Sequence, residues 1–137
     1  MSGLKDIKVR LEGAVVQEER TENALPLLHE IRHALALLLE TGEATVIDLR
    51  SLPLGTMDAE QLLQVLGQGE IQAQLDSLGK SLIQETRIPG VWFIEHFNIE
   101  ERLVGQSIEV TFIPTILKSQ PEDVRKGFLR LTAQLEE

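Results

Sequence analysis

The chain has 137 residues, of which 42% are hydrophobic and 26% charged, and a formal net charge of −9 at pH 7. This size fits one globular domain, which we predict over residues 1–137. The acidic balance argues against nucleic acid and anionic membranes as partners, because both recruit clustered Lys and Arg, and the absence of cysteine excludes disulfides and thiolate metal sites.

The first elements in chain order are a strand, a helix and a second strand. Apolar and polar residues alternate over residues 7–11, which predicts a half-buried strand. Asn23 is a candidate N-cap for a helix over residues 24–40, and Gly42 is its predicted stop. The apolar face of this helix consists of Ala24, Leu27, Leu28, Ile31, Ala34, Leu35 and Leu38. Residues 44–49 then predict a short central strand.

The second half of the chain predicts mostly strands. Thr56 or Asp58 caps a helix that ends at Leu66. Three or four strands follow, with a turn at residues 76–79 after the first of them. We place these strands over residues 71–75, 81–87, 91–97 and 102–112.

A last helix follows Pro114 and a short bridge over residues 115–117. Ser119 and Glu122 have the spacing of a capping box at its start. Its apolar stripe consists of Val124, Phe128, Leu131 and Leu135. Consecutive short strands with helices before and after them predict an α+β fold with a sheet of about five strands that is mostly antiparallel, a mixed sheet being the alternative. We expect about three helices packed mainly on one face.

The stretch from Leu66 to Trp92 has the most specific residue choices. Gly67 and Gly69 suit a sharp exit from the preceding helix, because glycine adopts backbone angles closed to other residues. Pro89 and Gly90 predict a tight turn just before the single tryptophan.

This stretch offers residue types that are frequent at protein interfaces. Arg87 could pair with a carboxylate of a partner, and Trp92 could serve as a flat apolar anchor. The predicted partner-binding residues are Glu85, Thr86, Arg87, Pro89 and Trp92. The alternative is that Trp92 belongs to the core and that Glu85 and Arg87 are ordinary cross-strand neighbours.

Ordered short motifs between about residues 24 and 117 resemble the HupH/HyaF family of nickel-iron hydrogenase expression proteins. The motifs are Leu28–Arg32 (Leu-His-Glu-Ile-Arg), Thr41–Glu43 (Thr-Gly-Glu), Ile47–Leu49 (Ile-Asp-Leu), Leu66–Glu70 (Leu-Gly-x-Gly-Glu), Glu85–Arg87 (Glu-Thr-Arg) and Pro89–Trp92 (Pro-Gly-Val-Trp). Each motif is weak alone, and their order and spacing make the resemblance specific.

The resemblance implies an accessory protein in hydrogenase maturation, a chaperone that binds an immature nickel-iron hydrogenase subunit, with the small iron–sulfur subunit favoured. Other maturation proteins are further expected partners. Family members are implied to be about twice as long, with two such modules. A chain with room for one module could do the full family task, form a homodimer that restores the second module, or act as a stand-alone paralogue.

His29-Glu30-x-x-His33 has the pattern of a zinc hydrolase, in which two imidazoles bind zinc and the glutamate acts as general base. No third ligand follows at a suitable distance, and the remaining histidine, His96, lies far along the chain. On the helical wheel both histidines lie opposite the apolar stripe, which favours a solvated face or a weak surface metal site over catalysis.

Other sites of chemistry are not indicated. Gly67-x-Gly69 follows a helix and precedes a strand, which is the reverse of the order in a phosphate loop. No serine lies in a nucleophile elbow. We therefore expect a protein that is not an enzyme and needs no cofactor or metal, with a small-molecule-binding or regulatory domain as the alternative. No apolar run approaches a membrane span and residues 1–10 lack a secretion signal, which predicts a cytoplasmic protein.

Overall fold

The computed structural model describes residues 23–136, so the strand predicted over residues 7–11 lies outside the described part. The helices are α1 (Ala24–Thr41), α2 (Thr56–Leu66) and α3 (Pro121–Leu135). The strands are β1 (Thr45–Asp48), β2 (Gln72–Asp76), β3 (Lys80–Glu85), β4 (Val91–Phe97) and β5 (Leu103–Val110). Short 3₁₀ helices occupy Leu49–Ser51 and Thr115–Leu117.

The five strands form one antiparallel sheet in the order β1-β5-β4-β3-β2. Strands β2 to β5 follow one another as hairpins, because each pairs with its neighbour in sequence. Helix α2 connects β1 at one edge of the sheet to β2 at the other. The predicted α+β fold with an antiparallel sheet of five strands and three helices is confirmed.

Helices α1 and α2 pack on one face of the sheet, which we call the helix face. The larger core lies there because α1 presents an apolar stripe at helical spacing and the strands present every second residue. Its buried members are Leu27, Ile31, Ala34, Leu38, Ile47, Leu49, Leu62, Leu66, Val91, Ile108 and Val110. The apolar face predicted for α1 is confirmed, with Leu28 and Leu35 partly buried at its margin.

The opposite face of the sheet has a smaller core. Ile83, Trp92 and Ile94 are buried there, and Ala73 and Leu117 pack against them. Val91 and Trp92 therefore point to different faces, as strand alternation requires. The 3₁₀ helix that contains Leu117 brings the chain back over this face after β5.

Helix α1 begins at Ala24 and is followed by Gly42 as predicted, but the expected side-chain cap at its start is absent. Gly42 adopts a left-handed conformation with φ 79°, and its N–H donates to the Leu38 carbonyl at 2.8 Å. Asn23 precedes α1 but does not cap it with its side chain, because its Nδ2 donates to the Pro53 carbonyl at 2.6 Å. The asparagine thus ties the start of α1 to the loop before α2.

The N-caps of α2 and α3 are not the predicted residues. Gly55 is the N-cap of α2, and Asp58 acts from within the first turn by accepting the Gly55 N–H at 3.2 Å. Gln120 is the N-cap of α3, with Pro121 as its first residue, so the predicted capping box at Ser119 is wrong. The observed N-cap lies one residue before the predicted Thr56 in α2 and one residue after the predicted Ser119 in α3.

The end of the chain differs most from the expectation of three packed helices. Helix α3 buries none of its residues, and its predicted apolar stripe is exposed. Strand β5 ends at Val110, so Phe112 lies beyond it and is 67% exposed. Of the described helices, none is long and apolar enough to cross a membrane.

Candidate functional site

The loop after α2 and the end of β3 lie side by side, which brings two of the family motifs into contact. The Gly69 N–H donates to the Glu85 carbonyl at 2.7 Å, and the Arg87 N–H donates to the Leu66 carbonyl at 2.8 Å. The Glu85 N–H donates to the Ile71 carbonyl at 2.9 Å. Leu-Gly-x-Gly-Glu and Glu-Thr-Arg are therefore two sides of one hydrogen-bonded junction.

The two glycines of this junction have different roles. Gly67 has φ 71°, which confirms the expected sharp exit from α2, and the guanidinium of Arg87 lies directly over it. Gly69 does not have a positive φ. A Cβ at Gly69 would stand 2.4 Å from the Thr86 carbonyl oxygen and 3.0 Å from that of Glu85. Gly69 is required by a close backbone approach, not by its backbone angle.

The segment between β3 and β4 is a turn held by a buried threonine. Thr86 is 2% exposed, and its hydroxyl accepts the Ile88 N–H at 3.1 Å and lies 2.9 Å from the Val91 carbonyl. The Val91 N–H closes the turn on the Ile88 carbonyl at 3.0 Å. With proline second and Gly90 third at φ 95°, the turn has the residue pattern of type II. The predicted Pro-Gly turn is confirmed.

Trp92 lies inside the protein. It is 4% exposed, and its Nε1 donates to the Thr111 carbonyl at 3.1 Å. The Thr111 N–H donates in turn to the Gly90 carbonyl at 2.9 Å. The indole therefore fastens the Pro-Gly turn to the end of β5, which is the structural role that the alternative interpretation gives it.

The five residues predicted to bind a partner fall into three groups by exposure. Thr86 and Trp92 are buried, Glu85 is half-buried, and Arg87 and Pro89 are exposed. The structure brings all five into one corner of the molecule. Contact of this corner with a partner stays a prediction, and the exposed side chains of Arg87 and Pro89 are its accessible members.

The histidine motif of α1 lies at the surface. His29, Glu30 and His33 are all exposed, and His29 Nδ1 is 3.4 Å from the Arg32 guanidinium. Within residues 23–136 no group of three or more His, Cys, Asp or Glu side chains is arranged to hold a metal ion. A cationic neighbour also opposes metal binding at His29. The motif has the geometry of a solvated helix face.

We expect the chain to retain less than one equivalent of zinc after dialysis against a mild chelator, because two exposed imidazoles supply only two ligands. Replacing both His29 and His33 with alanine should change the free energy of unfolding by no more than about 0.5 kcal/mol. Elemental analysis and chemical denaturation measure the two quantities. Stoichiometric zinc in the wild-type chain, lost in the double variant, would contradict this interpretation.

Sequence reasoning did not find the polar residues Ser81, His96 and Glu109, which share the opposite face of the sheet with Trp92. Ser81 Oγ lies 2.7 Å from His96 Nδ1, and the imidazole ring packs over Gly105 of β5. Glu109 stands opposite Trp92 in the β4–β5 register. Burial raises the pKa of the Glu109 carboxyl above its ordinary value, and the charge of His96 partly offsets this. Strand alternation places His96 on this face, but only the strand register identifies its neighbours.

The raised pKa of Glu109 predicts a stability change with a definite sign. A carboxyl whose pKa is raised in the folded state binds protons more readily there than in the unfolded chain, so folding is penalised once the pH exceeds both pKa values. We expect Glu109→Gln to be more stable than wild type at pH 8, with the difference shrinking toward pH 4. Urea denaturation at the two pH values measures it, and a variant less stable at pH 8 would contradict the assignment.

A family model described as HupH hydrogenase expression protein, C-terminal conserved region, matches residues 21–137. The chain belongs to this family. The match includes all of the described elements, from α1 to α3, and confirms the resemblance drawn from the ordered motifs. The contacts between Leu-Gly-x-Gly-Glu and Glu-Thr-Arg explain why both motifs occur in one chain, because the two segments pack against each other at one junction.

Two curated relatives are about one third identical to the chain over the residues that match. It is 34% identical to the hydrogenase expression/formation protein HupQ of Azotobacter chroococcum mcd 1 over 111 residues, which are 80% of this chain and 39% of that protein. It is 32% identical over 114 residues to the hydrogenase-1 operon protein HyaF of Escherichia coli (strain K12), covering 80% of this chain and 38% of HyaF. The chain thus spans about two fifths of the length of these relatives.

A solved structure has the same fold at higher identity. The hydrogenase expression protein HupH from Thiobacillus denitrificans ATCC 25259 superposes with a TM-score of 0.80 and 45% sequence identity. The superposition covers 85% of this chain and 98% of that one. A structure of nearly matching extent therefore exists within the family, beside the longer relatives.

Proposed function

We propose that the chain is an accessory protein of nickel-iron hydrogenase maturation that acts as a chaperone for an immature hydrogenase subunit. The observation that carries this proposal is the family membership, together with 45% identity and a TM-score of 0.80 to a protein named for hydrogenase expression. Relatives that match most of this chain bear names for hydrogenase expression or formation. The proposal places the chain in the cytoplasm, where it binds and does not catalyse.

The small, iron–sulfur subunit is the proposed client. With no cysteine, the chain cannot ligate a cluster through thiolates, so its contribution concerns the client's polypeptide and not the cluster itself. A subunit that awaits its clusters exposes segments that are buried in the mature enzyme. A chaperone that covers them prevents aggregation until assembly, and other maturation proteins are proposed to meet it there.

Two surfaces support a binding role. The exposed corner with Arg87 and Pro89 stands on a junction of backbone hydrogen bonds, which fix the main chain that carries the arginine. The outer edge of β1 is the other surface. Within the described residues β1 pairs only with β5, and Val46 on this strand is 64% exposed. An extended client segment could add to such an edge through main-chain hydrogen bonds.

Co-expression tests the proposal. The tagged chain is produced with the precursor forms of the small and the large hydrogenase subunit from the same source, and co-purification identifies the client. We expect retention of the small-subunit precursor and loss of retention once that subunit is mature. Retention of neither precursor would contradict the chaperone proposal.

A matched pair of arginine variants locates the binding surface. Arg87→Ala should reduce the retained precursor, because it removes a forked donor from the exposed corner. Arg32→Ala, an equally charged and exposed position on α1, serves as the control and should retain the precursor as wild type does. Equal retention by both variants would place the binding surface away from this corner.

A further inference from the structure

Helix α3 presents an apolar stripe that no other part of residues 23–136 covers. Val124, Phe128, Leu131 and Leu135 recur at helical spacing and are between 57% and 78% exposed. The stripe spans about 16 Å along the helix axis. Such a stripe normally faces a core, and monomeric proteins rarely leave one in water.

The body of α3 is also the basic part of an acidic chain. Arg125, Lys126 and Arg130 are its charged residues after the first turn, and Glu122 and Asp123 precede them. Removing these three cations from the total of 13 leaves 10 Lys and Arg against 22 Asp and Glu, or −12 for the remainder. The helix body is therefore complementary in charge to the rest of a molecule of the same kind.

The helix face of the sheet has a groove that α1 and α2 do not fill. Three adjoining depressions of about 430, 310 and 170 Å³ form it, joined by the shared lining residues Gln64 and Leu82. Its floor is apolar, and its rim carries glutamine amides, three carboxylates and the single ammonium of Lys80. The floor includes Leu63, Leu82, Phe93 and Phe97, and the carboxylates are Glu60, Glu95 and Glu101.

Buried area favours a helix in the groove over two helices paired with each other. Four exposed side chains offer on the order of a few hundred Å² per copy, whereas a stable interface needs roughly 800 Å² per partner. In a reciprocal exchange, each copy inserts its α3 into the groove of the other copy. The area buried on the helix and the area buried in the groove are then each contributed by both copies. It also places the three cations of α3 beside the acidic rim.

We propose that the chain forms a symmetric dimer in which the apolar stripe of α3 occupies the groove between α2 and strands β2–β4 of a second copy. The occupant is a second copy of this chain, because the apolar stripe suits the apolar floor of the groove and the cations of α3 suit the carboxylates of its rim. The contact is isologous, so that the same two surfaces meet twice. The proposal is independent of the chaperone function and of the client's identity.

Sedimentation velocity of the full chain tests the dimer. We expect a species of twice the 15.3 kDa monomer mass at micromolar concentration. Phe128→Glu should weaken the dimer on the order of a hundredfold or more, since one substitution affects both contacts. Phe112→Glu is the matched control, because both phenylalanines are 67% exposed. A monomeric wild type, or equal weakening by both variants, would overturn the proposal.

Cross-linking identifies the surfaces that meet, since the natural chain has no cysteine to interfere. Leu131→Cys in α3 and Leu63→Cys in the groove are mixed as two single variants and oxidised. A disulfide between the two different variants is the expected product. A disulfide between two Leu131→Cys chains would show that α3 helices pair with each other and would overturn the proposal. A double variant that carries both cysteines and forms its disulfide only within one chain would overturn it as well.

Discussion

Replacing Trp92 with alanine is expected to lower the free energy of unfolding by about 3–5 kcal/mol. The side chain is 4% exposed and packs with Ile83 and Ile94, so its removal leaves a cavity in a small core. The variant also loses the indole hydrogen bond to the Thr111 carbonyl that fastens the turn before β4. Chemical denaturation monitored by circular dichroism measures the change.

Two controls separate these contributions. Trp92→Phe keeps most of the apolar volume and loses the hydrogen bond, so it should cost about 1–2 kcal/mol. Phe112→Ala removes an aromatic ring that is 67% exposed and should change stability by less than about 1 kcal/mol. A Trp92→Ala variant that stays as stable as wild type and loses precursor binding would contradict the core role and support a direct partner contact.

Gly69→Ala is expected to lower the free energy of unfolding by about 2–4 kcal/mol. The new Cβ would stand 2.4 Å from the Thr86 carbonyl oxygen, and neither it nor this backbone atom can rotate away. Relief requires the α2–β2 loop to move and the hydrogen bond from Gly69 to Glu85 to lengthen or break. Thermal and urea denaturation measure the change.

Gly127→Ala is the matched control for this substitution. Gly127 lies in α3, and a Cβ there would meet nothing within 4 Å. Alanine favours the helix over glycine by about 0.5–1 kcal/mol, so this variant should be equal to wild type or slightly more stable. If both glycine variants were equally stable, the junction would not require the close backbone approach.

The sequence was sufficient to predict the element order of the described part and the class of the sheet. Periodicity decides these features because α1 and the hairpin strands bury regular stripes. Gly42 and the Pro89-Gly90 turn were predictable because a positive φ favours glycine. The order of the family motifs also predicted membership correctly.

The capping interactions at helix starts and the destination of the last helix were not predictable in the same way. Asn23 has the residue type of an N-cap, but a neighbouring loop offers its side chain a carbonyl thirty residues away. The stripe of α3 has the pattern of a buried face, and pattern alone cannot tell whether the covering surface belongs to the same chain. Both outcomes depend on contacts between distant parts of the structure.

The candidate site shows a similar division. Five residues predicted to bind a partner do lie together, but Thr86 and Trp92 are buried because they hold the turn that positions Arg87 and Pro89. Glycine spacing indicated a sharp exit at Gly67, whereas the reason for Gly69 is its close approach to the backbone of Glu85 and Thr86 at the end of β3. The motif residues thus build a scaffold, and the exposed residues on it are candidates for recognition.

Binding of purified chain to the purified small-subunit precursor tests the central claim most directly. Isothermal titration calorimetry with the precursor and with the mature subunit, under the same conditions, gives the two dissociation constants. The account predicts that the precursor binds at least about tenfold more tightly, a difference of about 1.4 kcal/mol in binding free energy. Equal affinity for both forms, or no binding to either, would contradict the proposal that this chain is a chaperone of the immature subunit.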